Sequence, residues 1–318
     1  MRDDAIAPVI AVMLILAALV TLLSIWNAIY VPSMKESAEV EHLQNVETAF
    51  VHFSSDIDQA VSSHQDSLVF SEPVPLGGGD TLVNQLKSSG ALSVQNESEP
   101  IYTLTLSGGG TQTTINGTIV NVSYEPVSNF WQDQGYTWQY GYINVTKNNG
   151  ELSTPLNYYN MTDVQNEITS PGSLQTLAQS FVAVSATANT TPLLTTNGYS
   201  VQNGNCTSID ILAVNVSASP QHNFVSSNGF GTLKLTSSVN TASYPDITDV
   251  SLGSANVVFG NVTLGSWNQS FENIYAICPN NIGEGNPTDG NTIQWNVIHG
   301  VSPVTVTLHQ VNIVVSAS

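Results

Sequence analysis

Three histidines, His42, His52 and His64, stand among carboxylates in one stretch of the chain and are the first residues to examine for metal binding or proton transfer. Metal ligands on a helix recur every three or four residues, as in H-E-x-x-H, so that they share a face. Spacings of ten and twelve residues do not stack in this way, which leaves packing or solvated roles for all three. Asp246 with Asp249, and the stretch Gly285–Asn291, carry oxygen ligands suited to calcium, but neither follows the twelve-residue calcium-loop pattern, and both read as turns. The glycine runs Gly77–Asp80 and Gly108–Gly110 lack the Lys-Ser/Thr of a phosphate loop, and no G-x-S-x-G elbow occurs. No catalytic residue, metal or cofactor is therefore expected, and the chain is read as a protein that works by association. Two cysteines remain, Cys206 and Cys278. They are either separate buried thiols or, in an oxidising compartment, a disulfide closing a long loop. The signs of export below favour the disulfide.

Charge narrows the partners. Arg2, Lys35, Lys87, Lys147 and Lys234 are the only basic residues, and the formal net charge is −19. Binding to a nucleic-acid backbone needs clustered cations, and this chain has none, so nucleic acid is excluded as a partner. Polarity comes instead from Asn, Ser, Thr and Gln, which suit β-surfaces and turns.

The element that organises the chain lies at its N-terminus. From Ala5 to Met34 no residue is charged, and the run Val9–Val31 would rise about 35 Å as a helix, against a hydrocarbon layer of about 30 Å. A removed secretory signal has a shorter apolar region, of about 7–15 residues, and a small-residue cleavage site. Here the run ends in Trp26, Tyr30, Pro32 and Lys35, so a retained helix is expected, with the two aromatics at the interface. Beyond Pro32, Leu43, Val46, Phe50, Phe53, Ile57 and Val61 recur at three- and four-residue spacing between acidic residues. That pattern predicts an amphipathic continuation over 33–65 after a span over 8–31, ended by Ser71–Asp80 as a loop.

The segment Ala5-Ile6-Ala7-Pro8-Val9-Ile10-Ala11-Val12-Met13-Leu14-Ile15-Leu16 resembles the class III signal peptide and polymerisation helix of archaeal type IV pilins. The resemblance is specific over about residues 3–35. It implies that residues 1–4 are a leader removed by a prepilin peptidase between Asp4 and Ala5, or nearby at Arg2–Asp3 or Ala5–Ile6. It further implies a structural subunit that sits in the membrane, is handled by pilus assembly machinery and packs with copies of itself in a surface filament, its head exposed for adhesion. Val9, Val12, Leu16, Leu19, Leu23 and Trp26 are the expected packing positions. The competing expectation is a single-pass anchored surface protein that never polymerises.

Residues 71–318 read as a β-rich extracellular head, which gives an α+β class: a long apolar helix, then a mainly antiparallel sandwich-like domain, with a division near 186–200 left open. Strands are expected at 101–107, 114–127, 136–146, 210–219, 231–239, 255–265, 292–298 and 304–317, with short helices at Asp80–Ser89 and Asp163–Ala178. Tyr136, Trp138, Tyr140 and Tyr142 alternate, so they are expected on one strand face, as core, subunit interface or sugar-stacking platform. Ten N-x-S/T sequons mark glycosylation candidates: Asn96, Asn116, Asn121, Asn144, Asn160, Asn189, Asn205, Asn215, Asn261 and Asn268.

Overall fold

The structure, a computed structural model, describes residues 6–78, 88–128, 133–147, 151–153, 180–189, 205–254, 260–283, 285–287, 292–299 and 303–318. The leader residues Asp4 and Ala5, the sequon Asn160, residues 80–87 and 163–178 of the two expected short helices, and residues 190–200 of the open division lie outside them.

One helical rod opens the chain. Helix α1 (Ile6–Ile25) passes through a single π turn (Trp26–Tyr30) into α2 (Val31–Ser63). The wide turn has a local cause. Pro32 has no N–H and its ring crowds the preceding turn. The Val31 N–H reaches back to the Trp26 carbonyl, one residue further than in an α-helix, so the rod continues without a break. The rod ends at Ser63, close to the expected residue 65, with His64 left-handed (φ 53°), but the segment after it is not the loop expected from Ser71. Ser71–Pro75 belong to strand β1 (Val69–Pro75), an edge strand that pairs with β11 (Phe230–Tyr244). An edge position tolerates Pro73 because one side of the strand needs no donor.

The head holds two sheets. The large one has ten strands, running β1, β11, β15 (Thr305–Ala317), β10 (Asn205–Ser227), β2 (Ser89–Asn96), β5 (Val120–Ser128), β6 (Gln134–Gln139), β7 (Tyr142–Lys147) and β8 (Glu151–Ser153), with β9 (Val182–Asn189) also on β10. The small sheet has five strands, β13 (Asn286–Pro287), β14 (Thr292–Asn296), β12 (Asp249–Gly253), β3 (Tyr102–Gly108) and β4 (Thr111–Gly117). Pairing is antiparallel except between β10 and β15. The last residue is fixed in the sheet by mutual backbone bonds between Ser318 and Thr232.

Two layers cover opposite faces of the large sheet. Along β15 the buried residues are Val306 and Leu308, then Val311, Ile313 and Val315; along β10 they are Ile209, Ile211 and Ala213, then Val214 and Val216. Side chains alternate in a strand, so this change of parity means that the covered face changes midway. Strand pairing carries one face from Leu233 and Ala317 through Val225 and Leu92 to Tyr124 and Tyr136, and α2 lies on it. The small sheet and helix α3 (Gly260–Ile277) cover the other face at the far end. Helix α3 takes residues 260–265 of the strand expected over 255–265, and residues 255–259 lie outside the described ones. Val262 and Thr263 favour strands locally, but Trp267, Phe271, Ile274 and Cys278 recur at helical spacing and are buried against β9, β12 and β14. Phe271 stacks on Trp295 at 3.6 Å, and Tyr102 meets Trp267 edge-on at 5.9 Å.

Cys206 and Cys278 form a disulfide that ties the start of β10 to the end of α3. Beside it, the Asn281 carboxamide oxygen accepts the Cys206 N–H at 2.8 Å.

Candidate membrane and assembly helix

The rod has two chemically different halves. The 20 residues of α1 rise about 30 Å, the thickness of a bilayer's hydrocarbon layer. None of its most apolar window is buried inside the protein, and by length and composition it is a candidate membrane span. Val9, Val12, Leu16, Leu19, Leu23 and Trp26 are all exposed; Leu16 retains 61% of its accessible surface. Apolar side chains surround the helix, so it offers no polar face to water. Its hydroxyls are tied internally, Thr21 to the Ala18 carbonyl and Ser24 to the Val20 carbonyl, as a low-dielectric setting requires. Trp26 stacks on Tyr30 (5.2 Å between centroids) at the π turn, where the apolar run gives way to Lys35 and Glu36.

The second half, α2, is bolted to the head. Leu43, Val46, Phe50, Phe53, Ile57 and Val61 are buried along one face. Phe50 packs on Tyr136 and Phe53 meets Trp138 edge-on at 5.6 Å, while the Trp138 indole N–H donates to Ser54 Oγ at 3.0 Å. This settles the aromatic cluster. Tyr136, Trp138, Tyr140 and Tyr142 are buried within the chain, as core, and do not form an open interface. Nor do they share one strand. Tyr140 and Gly141, both with positive φ, make a two-residue hairpin turn after β6, and Tyr142 opens β7 opposite Gln139, on the face away from Trp138. Replacing Trp138 with Phe is expected to lower stability by about 2 kcal/mol or more, because the smaller ring leaves a cavity in a fully buried site, with the bond to Ser54 lost besides. Chemical denaturation of the purified protein reads this directly.

The three histidines go to three different places, as their spacing implies. His52 Nδ1 lies 3.2 Å from Glu72 Oε1, and His64 Nε2 lies 3.1 Å from the Ser180 carbonyl. His42 is buried beside Glu39 and Ser88, with Nε2 hydrogen-bonded to the Tyr124 hydroxyl at 3.1 Å. Burial holds the His42 pKa below its ordinary 6.5, since the imidazolium would lose its hydration there. Burial likewise drives the Tyr124 hydroxyl well above its usual range, with Glu39 adding to the effect, and raises Tyr136 to about 12. The unfolded chain takes up a proton at His42 near pH 6.5 and the folded chain resists it, so this contribution to stability is complete above 6.5 and declines as the pH falls through that value. Thermal melts from pH 7.5 to 5 should show a steeper loss for the native chain than for His42→Gln, in which this proton uptake is absent.

The sequons differ in access. Asn96 and Asn116 are exposed. Asn121, Asn144 and Asn205 are half-buried, and Asn215 Oδ1 accepts both the N–H and the hydroxyl of Thr118. Asn268 Oδ1 is buried without a hydrogen-bond partner. Asn189 and Asn261 have backbone places in β9 and α3.

Comparison of the chain with protein-family models, curated proteins and solved structures returns no match. The layout itself is compatible with that of pilins: a long apolar N-terminal helix, free for its first half and packed for its second, followed by a β-rich domain.

Proposed function

We propose that this chain is a structural subunit of an archaeal type IV-like pilus or related surface filament, assembled through its N-terminal helix and displaying its head for adhesion. One observation carries the reading: α1 is apolar on every side and covered by nothing in its own chain, while α2, in the same rod, is fixed to the head by a buried aromatic row. Such a rod transmits the position of the head to whatever surrounds α1. Lipid surrounds it before assembly. Afterwards, copies of the same helix take the place of lipid, and burial of apolar surface at about 25 cal/mol per Å² favours the exchange over exposure to water. Prepilin peptidase would remove residues 1–4, leaving Ala5 at the new N-terminus, and the assembly machinery would extract the helix.

The test is the N-terminal sequence of protein sheared from the cell surface. A mature chain beginning at Ala5, or at Asp3 or Ile6, with α1 retained is the expected result. An intact Met1 on surface protein would instead favour a permanent single-pass anchor that does not polymerise, and loss of the whole apolar run would defeat both readings. The same mass spectra should carry glycan mass at the exposed Asn96 and none at Asn268, whose side-chain oxygen is turned inward.

A further inference from the structure

The head carries a cleft that the helix does not use. Strand β4 ends the small sheet, and its consecutive residues Thr113 to Asn116 border a space of about 580 Å³ that β11 and β15 flank. Leu308 and Gln310 of β15 form part of the lining, and Asn240, Ala242 and Tyr244 of β11 extend it. The cleft lies beyond the end of α2, whose trailing residue Gln65 is bonded through its carbonyl to Ser237. It is therefore on the part of the head remote from the rod's apolar end.

Its chemistry is uniform. Among the described residues no Asp, Glu, Lys, Arg or His lines it. A ligand seated there meets no counter-charge from the lining side chains, which favours a neutral molecule over an ionic one. Threonine hydroxyls and the Asn and Gln amides both donate and accept hydrogen bonds, which suits a molecule whose own groups do the same at close spacing. Tyr244 and Leu308 add an aromatic and an aliphatic surface for a flat C–H face. The volume falls within the range of small-molecule sites, about 300–1,000 Å³.

We infer that this cleft binds a neutral saccharide, its hydroxyls held by the Thr, Asn and Gln side chains and a ring face laid against Tyr244. An added peptide strand along the free edge of β4 is the rival occupant, but it would be held chiefly through main-chain bonds, whereas here uncharged Thr, Asn and Gln side chains lie beside an aromatic and an aliphatic surface. The inference names the ligand class for the adhesive head of the proposed filament. It needs only the folded head, so its failure would leave the assembly reading intact.

The test uses the full chain, made in a host without N-glycosylation and held in phosphatidylcholine nanodiscs. Saturation-transfer NMR is run with glucose, galactose, N-acetylglucosamine and their β-linked disaccharides, with glucuronate as the charged counterpart, and with a peptide of the Thr111–Gly117 sequence. Transfer to at least one neutral sugar is expected, with none to glucuronate. Ala242 is exposed, so Ala242→Trp should leave the thermal melt unchanged while filling the cleft, and transfer should vanish. Tyr244→Ala should weaken binding about tenfold through loss of the aromatic face. Absence of transfer from every neutral sugar, transfer that survives Ala242→Trp, or binding of the peptide in place of sugars would each overturn the inference.

Discussion

Leu16→Lys is expected to weaken insertion into the membrane and to abolish any filament. Leu16 sits midway along α1, exposed to whatever surrounds the helix. A lysine at the centre of a span costs about 3 kcal/mol on insertion scales, and the lost leucine adds about half a kcal/mol, so the equilibrium constant for insertion should fall by more than about two orders of magnitude. In a filament the penalty falls on every copy, because each helix would bring an unpaired ammonium into an apolar bundle. Membrane fractionation and counts of surface filaments read the two stages separately. Ser55→Lys, on the exposed side of α2, supplies the control: the same charge on the same rod should change neither. Normal insertion and normal filaments from Leu16→Lys would refute the assigned role of α1.

Loss of the disulfide is the second large effect expected. Cys206 and Cys278 are 72 residues apart in sequence and fully buried. Closing a loop of that length lowers the entropy of the unfolded chain by an amount equivalent to about 4 kcal/mol at room temperature. The bridge also holds α3 to the start of β10, and so the two sheets to each other on the side away from α2. The double variant Cys206→Ser, Cys278→Ser should melt on the order of 10 °C below the native chain. Reductant should bring the native chain close to the variant and leave the variant where it is. Equal melting of oxidised and reduced native protein would show that the bridge contributes little.

The rod and most strands were legible in the sequence because their signals are local. A charge-free run, then apolar residues at helical spacing, define α1 and α2, and alternation defines β3, β5, β10 and β15. Where the structure departs from expectation, a long-range contact is responsible. Residues 260–277 carry β-branched residues at their start, and only the burial of Trp267, Phe271 and Ile274 against three distant strands selects a helix. The Tyr136–Tyr142 alternation looked like one strand because nothing local distinguishes Tyr140-Gly141 from strand residues until Gln139 pairs with Tyr142. The disulfide was open from sequence, since two cysteines do not disclose whether they meet. The saccharide cleft had no sequence signal at all. Its walls come from residues 113–116, from Asn240, Thr241, Ala242 and Tyr244, and from Leu308 and Gln310, which only the packing of the two sheets brings together.

The central claim is that α1 lies among lipid or sister helices and never in water. A photoreactive amino acid placed at Leu19 tests it in living cells. Irradiated protein recovered from the surface should carry cross-links between α1 segments of separate copies, while protein still in the membrane should carry lipid adducts. Surface protein that lacks α1, or adducts that join Leu19 to the head of its own chain, would contradict the account.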